Sequence, residues 1–397
     1  MKWKKTDLLN LGVFVISPFL AIPTILVGVV NKSKFSLQLL VLLFGVVSYI
    51  YIPHLSNDRA RYFELYEDFK DGTFFELFAY LMLTGQDFIL QSMFYLASQI
   101  NLAPQFVFAF TTIVTMSLVL LVFYKITNKE ETNVEQRFLA ILLVCCAVPY
   151  VDLFSGTRFM FATSFVLIGF YIGIVERKFL AVFLLIIAAA IHFSTLVFLP
   201  VFLILFIFPN ANKIYKMFFL VSLIFMFLPQ EILNSAFNMI GMSGGLGMKK
   251  EAYLEGEDFI KKGLEESYIL RISSFLNLIW ISCNYMYLLL TKNRDSLLRN
   301  IVLFTAATIN LFYSVPTIFY RYSVVLKFLF VFLLIFELYK YKQKTIIYFF
   351  HIILACVLFF EIISALPNIM ATFSKKGNLF LITILTADPL RSKDFLE

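Results

Sequence analysis

Four arginines fall where apolar stretches begin: Arg59 in SNDRARYFELYEDF, Arg158 in DLFSGTRFMF, Arg271 in ESYILRISSF and Arg321 in TIFYRYSVV. A guanidinium stays charged at any accessible pH and binds phosphate oxygens in a two-pronged fork. Beside a membrane segment it is costly unless it meets water or an anion. Several such arginines at one face, without a matched acid beside each, make a seat for a pyrophosphate. Snorkelling is the competing role, and Arg61 and Arg271 suit it best. Arg158 and Arg321 stand at tight turns between apolar runs, so they are read as ligands.

Arg158 belongs to the stretch from Asp152 to Pro200, around which the chain is organised. Asp152 and Arg158 flank a Ser-Gly-Thr turn. Glu176-Arg177-Lys178 forms a short charged turn, and His192 separates two apolar runs. Structural alternatives stand beside each role. Asp152 pairs with Arg158, Asp58 caps the helix that follows it, and His192 satisfies a helix end. No Walker loop, dinucleotide fingerprint, HExxH or CxxC pair is present. Cys145, Cys146, Cys283 and Cys356 lie in apolar segments and read as small core residues. Asp58 is followed by Arg59, not by a second aspartate, so a metal-assisted transferase is not indicated. No acidic residue with a clear partner stands deep in the middle of a helix, Glu337 and Glu361 being near helix ends, which argues against a proton- or sodium-coupled transporter.

The elements that must hold these residues are membrane helices. Hydrophobic residues make up 60% of the 397, and the apolar runs are continuous, which excludes the alternating pattern of a barrel. The expected fold is an all-α polytopic membrane protein, a single integral domain over 1–397. About twelve crossings are placed at 8–30, 36–53, 104–124, 138–154, 159–175, 179–191, 194–209, 214–230, 270–291, 300–315, 321–338 and 345–364. The first segment, despite its basic start, reads as retained. The pair 179–191 and 194–209 is taken as a hairpin because of charge. With it, six short loops on one side hold 15 of the 33 Lys and Arg but, counting Glu337, only six of the 26 acids. Such an excess marks the cytoplasm. Lys2, Lys4 and Lys5 run against this orientation.

Two longer loops then face outward. Residues 54–103 carry amphipathic, interfacial or re-entrant segments, among them DFILQSMFYLASQI. Residues 232–268, with GMSGGLG and mixed charges, suit a flap. On this topology Asp58, Arg59, Tyr62, Asp152, Arg158, His192, Arg271, Tyr320 and Arg321 all converge on the outer face.

From Ser155 to Pro200 the sequence resembles the EpsG-like branch of Wzy-type polysaccharide polymerases. The matching residues are Gly156-Thr157-Arg158, Glu176-Arg177-Lys178, and Ala190-Ile191-His192-Phe193-Ser194-Thr195-Leu196. Asp58 and Tyr62 resemble the family's outer Asp-x-x-x-Tyr segment, with Asn57 where the family usually has glycine. Arg321 resembles the late arginine-bearing helix start.

The resemblance implies a GT-C-like membrane glycosyltransferase that joins undecaprenyl-pyrophosphate-linked oligosaccharide repeat units with inversion. The reaction would occur on the periplasmic side of a bacterial inner membrane. Arg158 and Arg321, assisted by Arg59 or Arg271, would hold the leaving pyrophosphate. His192 is the first choice for the base and Asp58 the second. Tyr62, Tyr320 and Asp152 would contact sugar. The scheme requires no metal or other cofactor and no nucleic acid. Its implied partners are the lipid-linked oligosaccharide, the bilayer, a chain-length regulator and a flippase of the same pathway. A glycan ligase would use the same parts. A lipid-linked oligosaccharide flippase would instead line a central cavity with charges along many helices.

Overall fold

Between Pro316 and Tyr341 the chain forms one long apolar helix, opened by a proline whose missing N–H costs nothing in a first turn. Other helices bury 89% of its most apolar stretch, against 33% for Tyr268–Leu290 and Thr345–Ser364. The first is therefore the axis of the molecule, and the other two are its lipid-facing rim.

The computed structural model describes residues 5–84, 88–128, 133–231, 259–291, 294–341, 344–375 and 380–396. In order, its helices are α1 (Lys5–Ile16), α2 (Ile22–Val30), α3 (Lys34–Ile50), α4 (Asp58–Asp68), α5 (Phe74–Thr84), α6 (Phe88–Gln99) and α7 (Pro104–Thr127). Next come α8 (Val134–Ala147), α9 (Tyr150–Phe154), α10 (Thr157–Phe170), α11 (Ala181–Ile191), α12 (Phe198–Ile207) and α13 (Asn212–Ser222). The last are α14 (Phe259–Glu266), α15 (Tyr268–Leu290), α16 (Leu297–Asn310), α17 (Pro316–Tyr341), α18 (Lys344–Ser364), α19 (Leu366–Lys375) and α20 (Leu381–Thr386). Among the described residues there is no strand, only an isolated bridge between His54 and Leu396.

The axial helix α17 is wrapped by α7, α8, α10 and α16. Outside this ring α3 lies on α7, α11 on α10, α13 on α16, and α15 on α18. The stretch 54–103 supplies α4, α5 and α6. Of these, α4 and α6 pack on each other around Tyr62, Phe63 and Phe94, with Phe108 of α7 beneath. Leu396 reaches back to this region, donating to the Pro53 carbonyl at 3.1 Å and accepting from Leu55 at 2.8 Å. Of the expected 232–268 flap, residues 232–258 lie outside the described residues.

Among the described residues five helices are long and apolar enough to cross a membrane: Pro104–Thr127, Thr157–Val175, Tyr268–Leu290, Pro316–Tyr341 and Thr345–Ser364. Shorter apolar helices accompany them, so several expected spans are broken ones. The 8–30 span divides into α1 and α2 around Pro18, with Pro23 in the first turn of α2. The 138–154 span stops at Ala147, and after Pro149 α9 is a separate turn. The 214–230 span ends as a 3-10 turn, Leu223–Phe227.

A break also divides 179–191 from 194–209. His192 is extended, at φ −146° and ψ 109°, and a 3-10 turn, Phe193–Val197, follows it. Local side chains favour the break: the Thr195 hydroxyl donates to the His192 carbonyl at 2.9 Å, competing with the helical ladder.

Glu337 and Glu361 are both paired. Glu337, 3% exposed, lies near the end of α17 remote from Arg321 and accepts from Arg299 at 2.9 Å and Arg294 at 3.0 Å, with the Tyr287 hydroxyl also donating. Arg299, in the first turn of α16, is itself only 1% exposed. A buried carboxylate between two guanidiniums is satisfied, whereas alone it would be prohibitive.

Candidate active site

Three interruptions of the helices converge on one cavity of 300 Å³. The turn between α8 and α9 brings Pro149 and Asp152. The Ser155-Gly156 turn leads into Arg158 and Phe159, and the end of α11 supplies His192. The first turns of α17 add Tyr320, Arg321, Ser323 and, deeper, Lys327. The remaining walls come from Asp58 of α4, Asn277 of α15 and Glu361 of α18. Ligand pockets run from about 300 to 1,000 Å³, so this one suits a compact group and not a whole oligosaccharide.

Six of the nine residues singled out in the sequence are thus brought together: Asp58, Asp152, Arg158, His192, Tyr320 and Arg321. Three are not. Arg59 turns inward and is fully buried, donating to the carbonyls of Ser48 at 2.6 Å and Phe154 at 3.1 Å. Its guanidinium carbon lies 4.1 Å from the centroid of Phe108. Burial lowers its pKa to about 9, which leaves it a cation at neutral pH. It ties the start of α4 to the ends of α3 and α9, and so places Asp58 near Asp152. Arg271 is exposed and donates to the Glu265 carbonyl at 3.4 Å, outside the cavity lining. Tyr62 is buried, stacked on Phe94 at 5.2 Å, and meets the Arg158 guanidinium at 6.0 Å. It backs the arginine and does not line the cavity.

The turns around the cavity are fixed from outside it. Ser155 shares hydrogen bonds with the Tyr51 hydroxyl at 3.0 Å and the Asn57 amide at 3.1 Å. Asn57 therefore clamps the turn that presents Arg158. The Tyr322 hydroxyl donates to the Ser194 carbonyl at 2.8 Å, joining α17 to the break after His192. The Ser194 N–H points at His192 Nδ1, at 3.4 Å, with the Ser194 hydroxyl 3.1 Å away. An Nδ1 that accepts places the proton of a neutral ring on Nε2. Phe159 packs on the imidazole, 5.5 Å between centroids and near-perpendicular.

Lys327 and Glu361 are functional candidates that the sequence reading did not single out. Lys327 Nζ lies 3.5 Å from Glu361 Oε1, and the two side chains are 7% and 14% exposed. The signal for Lys327 was available, since an ionisable residue in the interior of a membrane helix marks a site by default. The pairing was not, because the partner lies on another helix.

Arg158, Arg321 and Lys327 thus share the cavity with Asp58, Asp152 and Glu361, so the arginines are not without acids as expected. The carboxylates interact: the pKa of Asp152, in α9 beyond the end of the α8 crossing, is raised to about 6. Enclosure by protein is the largest cause, and Glu361 and Asp58 add to it, while Lys327 and Arg321 oppose it. The side chain itself opens onto the cavity, where water screens part of the effect. Among the described residues no group of three or more His, Cys, Asp or Glu is placed to hold a metal ion. A site with cations and carboxylates in one enclosure can both hold an anion and take up a proton.

No curated protein and no solved structure gives a significant match to this chain. The EpsG family model, by contrast, matches residues 36–374, which take in every residue that lines the cavity. The chain belongs to the EpsG family.

Proposed function

We propose that the protein is a polysaccharide polymerase that joins undecaprenyl-pyrophosphate-linked repeat units at the outer face of a bacterial inner membrane. Membership of the EpsG family suggests a polymerase-like role. The observation that carries the finer reading is the mixed cavity, where Arg158 and Arg321 meet Asp152, Asp58 and His192. A site that only bound an anion would have no use for three carboxylates, whereas glycosyl transfer needs both charges. The glycan's anomeric carbon leaves the carrier pyrophosphate as a sugar hydroxyl of the next unit attacks from the opposite face, so the configuration inverts. Arg158 and Arg321 stabilise the departing pyrophosphate, the kind of preorganised charge that is usually the largest catalytic effect.

The hydroxyl's proton goes to a carboxylate. Asp152 is the favoured acceptor, because a pKa near 6 is matched to work near neutrality, with Asp58 beside it. His192, carrying Nε2–H, serves better as a donor to a phosphate or sugar oxygen. In this reading the shorter helices complete a GT-C-like set of about twelve crossings, and the cavity end of α17 faces outward.

The test is reconstitution of the purified protein with its lipid-pyrophosphate repeat unit, with products resolved on a gel with and without chelator. A ladder in both lanes supports a metal-independent polymerase. Absence of a ladder, with redistribution of the lipid across the vesicle, replaces it with a flippase.

A further inference from the structure

Beside the polar cavity lies a second one of 260 Å³ with a different character. Its walls include Val47 of α3, Tyr51 just past it, Tyr150 and Phe154 of α9, Ile362 of α18, Ala365 just past that helix and Phe373 of α19. The hydroxyls that border it are already engaged elsewhere. Tyr51 bonds Ser155 at 3.0 Å, Tyr150 donates to the Cys145 carbonyl at 2.9 Å, and Thr372 accepts from Ile52 N–H at 3.0 Å. The groove therefore offers hydrocarbon to hydrocarbon. It is open sideways, with Ile362 44% and Phe373 47% exposed along the rim where α18 faces lipid.

The two cavities are neighbours by construction. Glu361 lines both, and within α9 Tyr150 and Val151 line the groove while Asp152 lines the polar cavity. Lys327 stands at this junction. Its 3.5 Å contact with Glu361 is longer than the 2.7–2.9 Å typical of a tight charge-assisted bond, and an ammonium has three donors. A phosphate passing Glu361 would thus meet a cation that has donors to share.

We propose that this groove seats the hydrocarbon chain of a single-chain prenyl-phosphate carrier, whose phosphate end passes Glu361 and Lys327 into the arginine-bearing cavity. This deepens the reading above and rests on its lipid-linked substrate. One groove leading to one cationic pocket fits one chain with a phosphate at its end, whereas a two-chain phospholipid needs a second trough. The lateral opening lets the chain enter from the bilayer without leaving it.

The test is photolabelling of the full-length protein in phosphatidylglycerol-containing nanodiscs, with a polyprenyl monophosphate carrying a diazirine near its phosphate end. Adducts should map to Ala365, Ile369 and Phe373. Excess unlabelled polyprenyl monophosphate should suppress them at least tenfold, and added phosphatidylglycerol should not. Ala365→Trp, which fills the groove, should lower labelling to a similar degree, and the competition arm stands if that variant does not fold. Adducts spread along the outer faces of α15 and α18, or equal suppression by phosphatidylglycerol, would overturn the proposal. Groove adducts without polymerising activity would keep the chain seat and remove the polymerase. A product ladder without groove adducts would do the reverse.

Discussion

Arg59 and Arg158 look alike in sequence, each standing where an apolar or amphipathic helix begins, yet their side chains do different work. Arg59 spends its donors on the carbonyls of Ser48 and Phe154, whereas Arg158 lines the cavity. Arg158→Ala should therefore lower polymerisation by about 10²–10³-fold, the cost of one preorganised donor, while the protein still inserts. Polymer of normal length from that variant, made at normal membrane abundance, would remove Arg158 from the mechanism. Proton transfer makes a second prediction. Asp152 accepts a proton only when ionised, and its pKa is raised to about 6. Activity should hold above that value and fall as pH drops through it, and Asp152→Asn should abolish this limb with a rate loss of about 10²–10⁴-fold. The pH–rate profile of His192→Gln decides between donors and acceptors. A limb that persists there belongs to Asp152, and one that vanishes belongs to the imidazole. Residue types at helix starts were legible in the sequence because charge at a membrane edge is expensive. Which way each guanidinium turns depends on how far its helix is rotated about its axis, and packing alone sets that.

At the scale of elements, the positions of apolar runs were readable and their interruptions only partly so. The expected spans 8–30 and 138–154 run through the breaks at Pro18 and Pro149, although proline stands at both, and the extended residue at His192 follows from the Thr195 hydroxyl and the Tyr322 bond to Ser194, one local and one 128 residues away. Lys327 with Glu361 and Glu337 with Arg299 pair across helices, so periodicity gives no hint of them. The second pair carries a sharp expectation. Glu337→Ala leaves two guanidiniums without their carboxylate in a dry site, which should cost about 3–5 kcal/mol. Thermal unfolding in detergent should show this loss, and Glu337→Leu combined with Arg299→Met should recover most of it. Because the network lies toward the other end of α17 from the cavity, product formed per folded molecule should not change. Gly173 tests a different joint. It sits in the π-helical turn Tyr171–Val175 that extends α10, where an added Cβ would meet the Phe202 ring and come within 2.9 Å of the Ala181 Cβ. Gly173→Ala should destabilise the protein by about 1–3 kcal/mol through overpacking, read as a lower unfolding midpoint.

Across the whole molecule, charge separates along α17. One end gathers a cavity of mixed charge, and the other holds a sealed pair of guanidiniums on Glu337. The sealing bears on orientation, since Arg294 and Arg299 fall within 292–299, one of the six short loops whose Lys and Arg excess, with Glu337 counted, marks the cytoplasm. Glu337 offsets one of these two charges and leaves the trio at a net +1, while Lys216 is paired with Asp295 at 2.9 Å, so the rest of the excess at that end comes from other loops. Orientation is therefore best settled by accessibility. Ser56, next to the cavity's α4 wall, and Lys393, near the C-terminal segment docked on Pro53, lie on one face, while Asp295 lies toward the other. Single cysteines at 56 and 393, in a chain whose four native cysteines are replaced, should react with a membrane-impermeant maleimide in intact cells. A cysteine at 295 should react only after permeabilisation. The opposite pattern would put the cavity on the cytoplasmic side, where sugar nucleotides and not lipid-linked units of an outer leaflet would be the natural donors, and the outer-face polymerase would fall even if Arg158 proved essential. The expected pattern places the two arginines, the carboxylates and the lateral groove in the leaflet from which a translocated lipid-linked unit would approach.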